Sequence, residues 1–277
     1  MAQRFGGHWT LIKLDMLDAY LQFFTTALKK QTFKLCYIDA FAGSGGVTIS
    51  RREATIGSAL MALKYPFDRF IFIEQDQGYL SALNARAKEQ APDKQIESIH
   101  GDCNEQLKVV MNADWKRNRW RGVIFLDPYA MDLRWESLQL IANTKIFDVW
   151  YLFPLSALTR CLRRDGSIPE SQKAKITSLL GTDDWARVLY REPSQLSLLP
   201  DERIERVNQA EIAKYVVARL RSVFPGVAPS PLLLTQSTNS PLFLLCFAVS
   251  NDANNALQLA LRAANHILGQ VGTGNFN

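Results

Sequence analysis

The chain has 277 residues, of which 47% are hydrophobic and 21% are charged, and a mean hydropathy of -0.09, which excludes collagen, coiled-coil and disordered proteins. No apolar run approaches the roughly 20 residues of a membrane span, so we expect a cytoplasmic protein with residues 1–277 in one domain. The net charge of +5 permits a polyanionic partner without requiring one. Four scattered cysteines without paired spacing predict neither a disulfide framework nor a metal site.

Helix and strand patterns alternate through the first half of the chain. Leucines at three- and four-residue steps predict a helix over 11–30 with Thr10 as its N-cap. Apolar runs predict the strands that follow, and further helices are predicted between them. The predicted strands are 33–38, 69–73, 95–100, 123–126 and 147–153, and the predicted helices between them include 56–64 and 79–89.

The second half departs from this rhythm. Residues 160–206 have weak periodicity with several Arg, Ser and Pro residues, which indicates an inserted helical cap. A helix over 210–223 precedes two apolar runs, 232–235 and 242–250, whose short polar connection predicts an antiparallel hairpin at the sheet edge, and a last helix is predicted over 256–268. Apolar strands separated by helices predict an α/β fold with a doubly wound, mostly parallel sheet of seven strands.

Acidic residues and a glycine turn follow the predicted strands. Asp39 precedes the turn that contains Gly43 and Gly45, while Glu74 and Asp102 end the next two strands. Ligands of open parallel sheets bind at these carboxyl ends, although a glycine turn is also found as a simple strand-to-helix connection. The turn has no third glycine, and Asp39 would repel a pyrophosphate but pair with an ammonium group. This pattern favours S-adenosylmethionine over NAD.

Several segments resemble one bacterial family. Residues 37–46 resemble the first motif of class I S-adenosylmethionine-dependent methyltransferases, in a form frequent among nucleic-acid enzymes. More narrowly, His8-Trp9-Thr10 with Lys13, residues 37–46, 101–104 and 125–128 resemble the three-Cys-motif partner protein family. The resemblance implies a Rossmann-like methyltransferase core over about the first 155 residues, and a partner protein that bears a three-cysteine motif.

The resemblance also implies roles for particular residues. Asp39, Gly43 and Gly45 would surround the methionine part of the cofactor, Glu74 would accept from the ribose hydroxyls, and Asp102 would contact the adenine amine. The alternative for Glu74 and Asp102 is that each is simply a solvated charge at the end of a strand. The residues assigned to cofactor binding are Asp39, Phe41, Gly43, Gly45, Glu74, Asp102 and Cys103.

A turn of Asp127, Pro128 and Tyr129 ends the fourth strand. It partly matches the Asp/Asn-Pro-Pro-aromatic turn of base amine methyltransferases, in which the acid or a carbonyl accepts the amine proton and the ring stacks on the base. We therefore predict Asp127, Pro128 and Tyr129 as the catalytic residues. Only one proline is present, and a proline turn that merely ends a buried strand is the alternative.

Two basic segments are candidates for substrate binding. Residues 115–121 interleave four cations with two indoles, which suits phosphate attraction and base stacking, and Lys116 and Arg117 are assigned here. A solvated surface loop explains that run equally well. Arg160, Arg163 and Arg164 follow the fifth strand and are predicted to line the substrate entrance.

These observations favour an S-adenosylmethionine-dependent methyltransferase acting on an amine of a nucleic acid or nucleotide. The alternative is a non-catalytic or partner-dependent subunit that keeps the fold as a binding module. A NAD-dependent oxidoreductase is disfavoured by the loop spacing and by Asp39.

Overall fold

The computed structural model describes residues 7–50, 53–164, 166–191, 205–236 and 238–271. Within these ranges, strands and helices alternate through the first 153 residues, as the sequence predicts. The strands, in chain order, are β1 (Lys34–Asp39), β2 (Gly46–Ser50), β3 (Glu53–Ile56), β4 (Arg69–Glu74), β5 (Ile96–His100), β6 (Trp120–Leu126), β7 (Phe147–Phe153), β8 (Tyr190–Arg191), β9 (Glu205–Arg206), β10 (Gly226–Val227), β11 (Leu232–Thr235) and β12 (Pro241–Val249).

The helices cover both faces of the main sheet. None of the described helices is long and apolar enough to cross a membrane. In chain order the helices are α1 (His8–Leu28), α2 (Ser58–Ala62), α3 (Gln77–Gln90), α4 (Cys103–Met111), α5 (Trp135–Thr144), α6 (Leu155–Cys161), α7 (Glu170–Leu180), α8 (Trp185–Val188), α9 (Gln209–Arg221) and α10 (Asn254–Val271).

The main sheet has the order β10-β12-β7-β6-β1-β4-β5, with β11 also paired to β12. Strands β7, β6, β1, β4 and β5 are parallel, and β12 runs antiparallel to β7. The predicted α/β fold with a doubly wound, mostly parallel sheet is therefore confirmed, although the sheet has eight strands and not the predicted seven. The antiparallel pairing of β11 with β12 is also confirmed, but β12 is not an edge strand. It lies between β7 on one side and β10 and β11 on the other, and its last six residues are buried alternately in the layers on the two faces of the sheet.

Alternate residues of β1 face two separate hydrophobic layers. Cys36 and Ile38 pack with α4, α5, α7 and α9 on one face of the sheet. Leu35 and Tyr37 pack with α1, α2, α3 and α10 on the other. Because both faces are covered, the central strands are apolar at nearly every position, which is the pattern expected for a buried parallel sheet.

The segment predicted as a cap, 160–206, contains α7, α8 and the two-stranded ribbon of β8 and β9. Its residues 165 and 192–204 lie outside the described residues. Ile176, Leu180 and Trp185 are buried in the same layer as α4 and α5, so this part of the segment is anchored to the main core. That it covers a substrate stays a prediction.

Two local predictions require correction. Helix α1 begins at His8 with Gly7 as N-cap, so the prediction of Thr10 as N-cap is wrong; Thr10 lies in the helix with its hydroxyl buried. The sequence analysis also missed the ribbon of β2 and β3, which separates the glycine turn from α2. The ribbon returns the chain to the turn, where the Gly57 N–H donates to the Gly45 carbonyl at 3.0 Å.

Candidate active site

Three of the predicted acids lie at neighbouring strand ends. Asp39 ends β1, Glu74 ends β4 and Asp127 follows β6, and β1 pairs with both other strands in parallel. The chain passes from β1 to β4 on one side and later to β6 on the other, so this is the point where the strand order reverses. Ligand clefts of open parallel sheets form at such points.

Asp39 is buried at the carboxyl end of β1, with none of its surface exposed. Its carboxylate accepts hydrogen bonds from Ser58 Oγ at 2.5 Å, from Tyr37 OH at 3.4 Å and from the Phe41 N–H at 3.4 Å. Burial raises the pKa of Asp39 to about 7, and the nearby charge of Asp127 adds to the rise, although the bond from Ser58 opposes it. The carboxyl group therefore titrates near neutral pH, and a cationic ligand would favour its ionised form.

The glycine turn depends on left-handed backbone at Gly43 and Gly45, with φ of 61° and 75°. A Cβ on Gly45 would lie 2.8 Å from methyl groups of both Leu60 and Leu83, so the turn is pressed against α2 and α3. The Gly43 N–H donates to Glu74 Oε2 at 2.7 Å, which joins the turn to the end of β4. A side chain at Gly45 is thus opposed by both conformation and space.

Glu74 and Asp102 each stabilise the backbone around the cleft. Besides the turn, Glu74 accepts from the Asp76 N–H at 2.9 Å. Asp102 is the N-cap of α4, and its Oδ1 accepts from the N–H groups of Asn104 at 3.0 Å and Glu105 at 3.2 Å. These contacts leave lone pairs on both carboxylates, because each oxygen can accept more than one hydrogen bond.

Cys103 and Phe41 adjoin the same cleft. The Cys103 side chain is buried in the first turn of α4, and burial, with the charge of Asp102, raises the pKa of its thiol well above the usual range. Such a thiol is a packing group rather than a nucleophile. Phe41 is half-buried and packs against the layer that contains Cys103.

The turn after β6 contains one buried and two accessible groups. Pro128 is buried, Asp127 is 25% exposed in its side chain, and Tyr129 is 74% exposed. The turn is closed by the Asp132 N–H, which donates to the Tyr129 carbonyl at 3.2 Å. An exposed tyrosine ring therefore stands beside a carboxylate at the mouth of the cleft.

Lys13 of α1 forms an ion pair with Asp127 and is almost fully buried. Its Nζ lies 5.0 Å from the ring centroid of Trp9, and Trp9 in turn contacts Phe243 at the start of β12, with ring centroids 4.9 Å apart. The positive charge of Lys13 also lowers the pKa of Asp39, which places the ammonium near both acids. The first turns of α1 therefore border the cleft.

From the sequence, Lys13 is expected to fold over the cofactor cleft with His8, but Asp127 is not predicted as its partner. Lys13 lies among the buried positions of an amphipathic helix. Because a buried ammonium group is stable only when it is paired with an acid or hydrogen-bonded, this position indicates a partner of that kind elsewhere in the fold. Thr10, one turn earlier on the same face, has a buried hydroxyl without a hydrogen-bond partner among the described residues.

The basic residues predicted to bind substrate lie in two different places. Arg160, in the last turn of α6, and the exposed Arg163 and Arg164 follow the strand β7 that ends at the cleft edge. Lys116 and Arg117 precede β6 and so lie at the amino ends of the parallel strands, where the Lys34 N–H bonds to the Arg119 carbonyl at 3.1 Å. The prediction that Lys116 and Arg117 border the cleft is therefore wrong.

The indole of Trp115 is not available for base stacking either. It is 3% exposed and its Nε1 donates to the Val110 carbonyl at 2.9 Å. Trp120 and Phe147 pack edge-on against it, with centroids 5.8 Å and 5.2 Å away. Trp115 therefore anchors the loop to the core.

Neither protein-family models nor curated protein sequences match the chain. The resemblance to the three-Cys-motif partner family thus stays a prediction. Among solved structures, protein LPL1258 from Legionella pneumophila str. Philadelphia 1 is 13% identical and covers 95% of this chain and 93% of its own, with a TM-score of 0.52. This likeness shows a shared fold.

Two further solved structures contain S-adenosyl-L-methionine or SAH, and one of them is a methyltransferase by name. Trm1 from Pyrococcus horikoshii, in complex with S-adenosyl-L-methionine, is 10% identical with a TM-score of 0.39, over 87% of this chain and 57% of Trm1. The O-methyltransferase from Bacillus cereus, in complex with SAH, is 10% identical with a TM-score of 0.40, over 83% of this chain and 80% of that enzyme.

Proposed function

We propose that the chain is an S-adenosylmethionine-dependent methyltransferase that methylates an amine of a nucleic-acid base or nucleotide. The observation that carries the proposal is the row of groups along the carboxyl edge of the sheet. The glycine turn and Asp39 on β1, Glu74 on β4 and Asp127 after β6 converge at the point where strand order reverses.

The residues of the cleft match the polar groups of S-adenosylmethionine. Asp39 would pair with the ammonium group, and Lys13 with the unpartnered hydroxyl of Thr10 would suit the carboxylate. Glu74 retains lone pairs for the ribose hydroxyls, and Asp102 retains Oδ2 for the adenine amine. The ammonium, the carboxylate, the ribose hydroxyls and the adenine amine of the cofactor thus each have a counterpart at this edge of the sheet.

When bound, S-adenosylmethionine supplies a methyl group that is already activated, so the protein's task is chiefly positioning. Lys13 holds Asp127 Oδ2, which leaves Oδ1 to orient the substrate amine and to accept its proton. Pro128 restricts the backbone of the turn, and the exposed ring of Tyr129 offers a face on which a base can stack. Arg160, Arg163 and Arg164 would attract the substrate phosphates.

A second candidate function is a binding subunit without catalysis. The ion pair of Lys13 with Asp127 favours it, because a substrate amine must share that carboxylate with an ammonium group. The turn also lacks the second proline of the Asp/Asn-Pro-Pro-aromatic motif, which likewise favours a binding subunit without catalysis. Such a subunit would bind the cofactor as a structural ligand and act through a companion, for which a protein with a three-cysteine motif is the proposed partner.

Transfer of a labelled methyl group to DNA, RNA, free nucleotides and a co-expressed neighbour protein separates the two functions. We expect transfer to a nucleic acid or nucleotide, a loss of at least about 100-fold in Asp127→Ala, and an unchanged rate in the control Asp93→Ala, an exposed residue. Transfer that survives Asp127→Ala would remove this residue from the mechanism. Cofactor binding without transfer to any acceptor would favour the binding subunit.

A further inference from the structure

Five basic side chains cluster at the amino ends of the parallel strands, opposite the cleft. We call them the amino-edge basic face: Lys34, Lys116, Arg117, Arg119 and Arg121. Residues 115–121 contribute four of them and contain no acidic residue. Lys34 starts β1 and is paired in register with Trp120 at the start of β6, which brings the loop and the strand together.

The cations of this face are held by aromatic rings. The guanidinium carbons of Arg121 and Arg119 lie 4.5 Å and 5.4 Å from the ring centroid of Phe33. Lys34 Nζ lies 5.7 Å from the ring centroid of Trp120. Two guanidinium groups on one phenyl ring repel each other, and Arg119 adopts a left-handed φ of 55°.

Asp252, whose pKa is lowered chiefly by its hydrogen bond from Lys145 and further by the charge of Lys116, lies near the face without an ion pair to it. Among the described residues, none of the five cations has a carboxylate oxygen within 4.0 Å. Burial and the charge of Arg119 lower the pKa of Arg121, although the buried Asp148 opposes this. A bound anion would relieve the repulsion within the face.

We propose that the amino-edge basic face binds the phosphate backbone of a nucleic-acid strand at a site separate from the cleft. Neighbouring phosphates match a row of unpaired cations, and the rings of Phe33 and Trp120 lie beneath those cations, so contacts go to phosphates and not to bases. The seven residues of β6 span about 20 Å at roughly 3.3 Å per residue. The face is therefore a second site, and the proposal does not depend on methyl transfer.

The apolar side chains argue for a nucleic acid over a membrane surface. Of the large hydrophobic residues that the described structure exposes, none lies between residues 112 and 121. A protein that binds a membrane interface buries apolar groups in it as well as pairing its cations with lipid phosphates. On this face the partly exposed rings of Phe33 and Trp120 contact the cations, and no large hydrophobic side chain of the loop is fully exposed.

Fluorescence anisotropy with the full chain, without cofactor, tests the proposal. The probes are labelled single strands of about 20 nucleotides, and duplexes of the same length, across about 50–200 mM salt. In Lys116→Glu/Arg117→Glu, both positions are exposed, so the fold should be kept. We expect affinity at low salt to fall at least about tenfold, and the slope of log affinity against log salt for the single strand to shrink by about 1.4.

The matched control is Lys214→Glu/Arg262→Glu, which changes two exposed cations on α9 and α10 and lowers the net charge equally, from +5 to +1. It should retain nearly all of the affinity. An equal loss in both double variants, or no oligonucleotide binding by the unaltered protein at low salt, would overturn the proposal. So would an oligonucleotide affinity that the first variant leaves intact while its binding to phosphatidylserine vesicles is lost. If circular dichroism shows that this variant unfolds, Arg117→Gln replaces it, with a smaller expected loss.

Discussion

The ionisation of Asp39 makes cofactor binding depend on pH. Its pKa is raised to about 7, so about 6% of the carboxyl groups are ionised at pH 5.8 and about 60% at pH 7.2. Only the ionised form pairs with an ammonium group, and apparent affinity scales with the fraction of the competent form. We therefore expect S-adenosylmethionine to bind about tenfold more weakly at pH 5.8 than at pH 7.2. The amino group of the ligand stays protonated over this window, since its pKa is near 8.

Isothermal titration calorimetry at the two pH values measures the effect, and the chain offers a matched control. Asp148 is also buried, its burial also raises its pKa to about 7, and it lies at the amino end of β7, away from the cleft. Asp39→Asn should bind weakly with no pH dependence, whereas Asp148→Asn should keep the tenfold difference. Equal affinity at both pH values in the unaltered protein, or a tenfold difference that persists in Asp39→Asn, would refute the assigned role.

Three further predictions concern stability and the cofactor cleft. Gly45→Ala should lower the free energy of unfolding, measured by urea denaturation, by about 2–4 kcal/mol, because the left-handed φ and contacts at 2.8 Å with Leu60 and Leu83 both oppose a Cβ. A loss below about 1 kcal/mol would contradict this. The folded state keeps a proton on Asp148 that the unfolded state releases above about pH 4, so the contribution of Asp148 to the free energy of unfolding falls by about 2 kcal/mol between pH 5.5 and 8.5. In urea unfolding, Asp148→Asn should therefore show about 2 kcal/mol less pH dependence than the unaltered protein. An equal pH dependence in both proteins would exclude this role of Asp148. Asp102→Ser should keep the N-cap of α4, so the free energy of unfolding should change by less than about 0.5 kcal/mol. Calorimetry should show cofactor binding that is about tenfold weaker. Unchanged affinity would mean that Asp102 serves only as a helix cap.

Local apolar patterns predicted most of the sheet. The strand 147–153 has the predicted bounds because all seven side chains are buried between the two faces of the sheet, and all but Asp148 are apolar. The ribbon of β2 and β3 was missed because its strands have only five and four residues, although apolar and polar residues alternate in both.

The two errors at functional positions have different physical causes. Lys116 and Arg117 were assigned to substrate binding because cations and indoles alternate in their segment, although residues before a parallel strand lie at the opposite edge of the sheet from residues after it. The contact of Lys13 with Asp127 joins residues 114 positions apart, and it depends on how α1 packs on the sheet. Periodicity showed that Lys13 lies among apolar positions, but the identity of its partner required the tertiary structure.

The central claim is that the carboxyl edge of the sheet holds S-adenosylmethionine beside Asp127. A crystal structure of the protein grown with S-adenosylhomocysteine tests it most directly. The account predicts the amino-acid part of the ligand at the glycine turn next to Asp39, its ribose at Glu74, and its sulfur facing the Asp127 turn. Density for the ligand at another edge of the sheet, or a cleft that stays empty at saturating ligand, would contradict it.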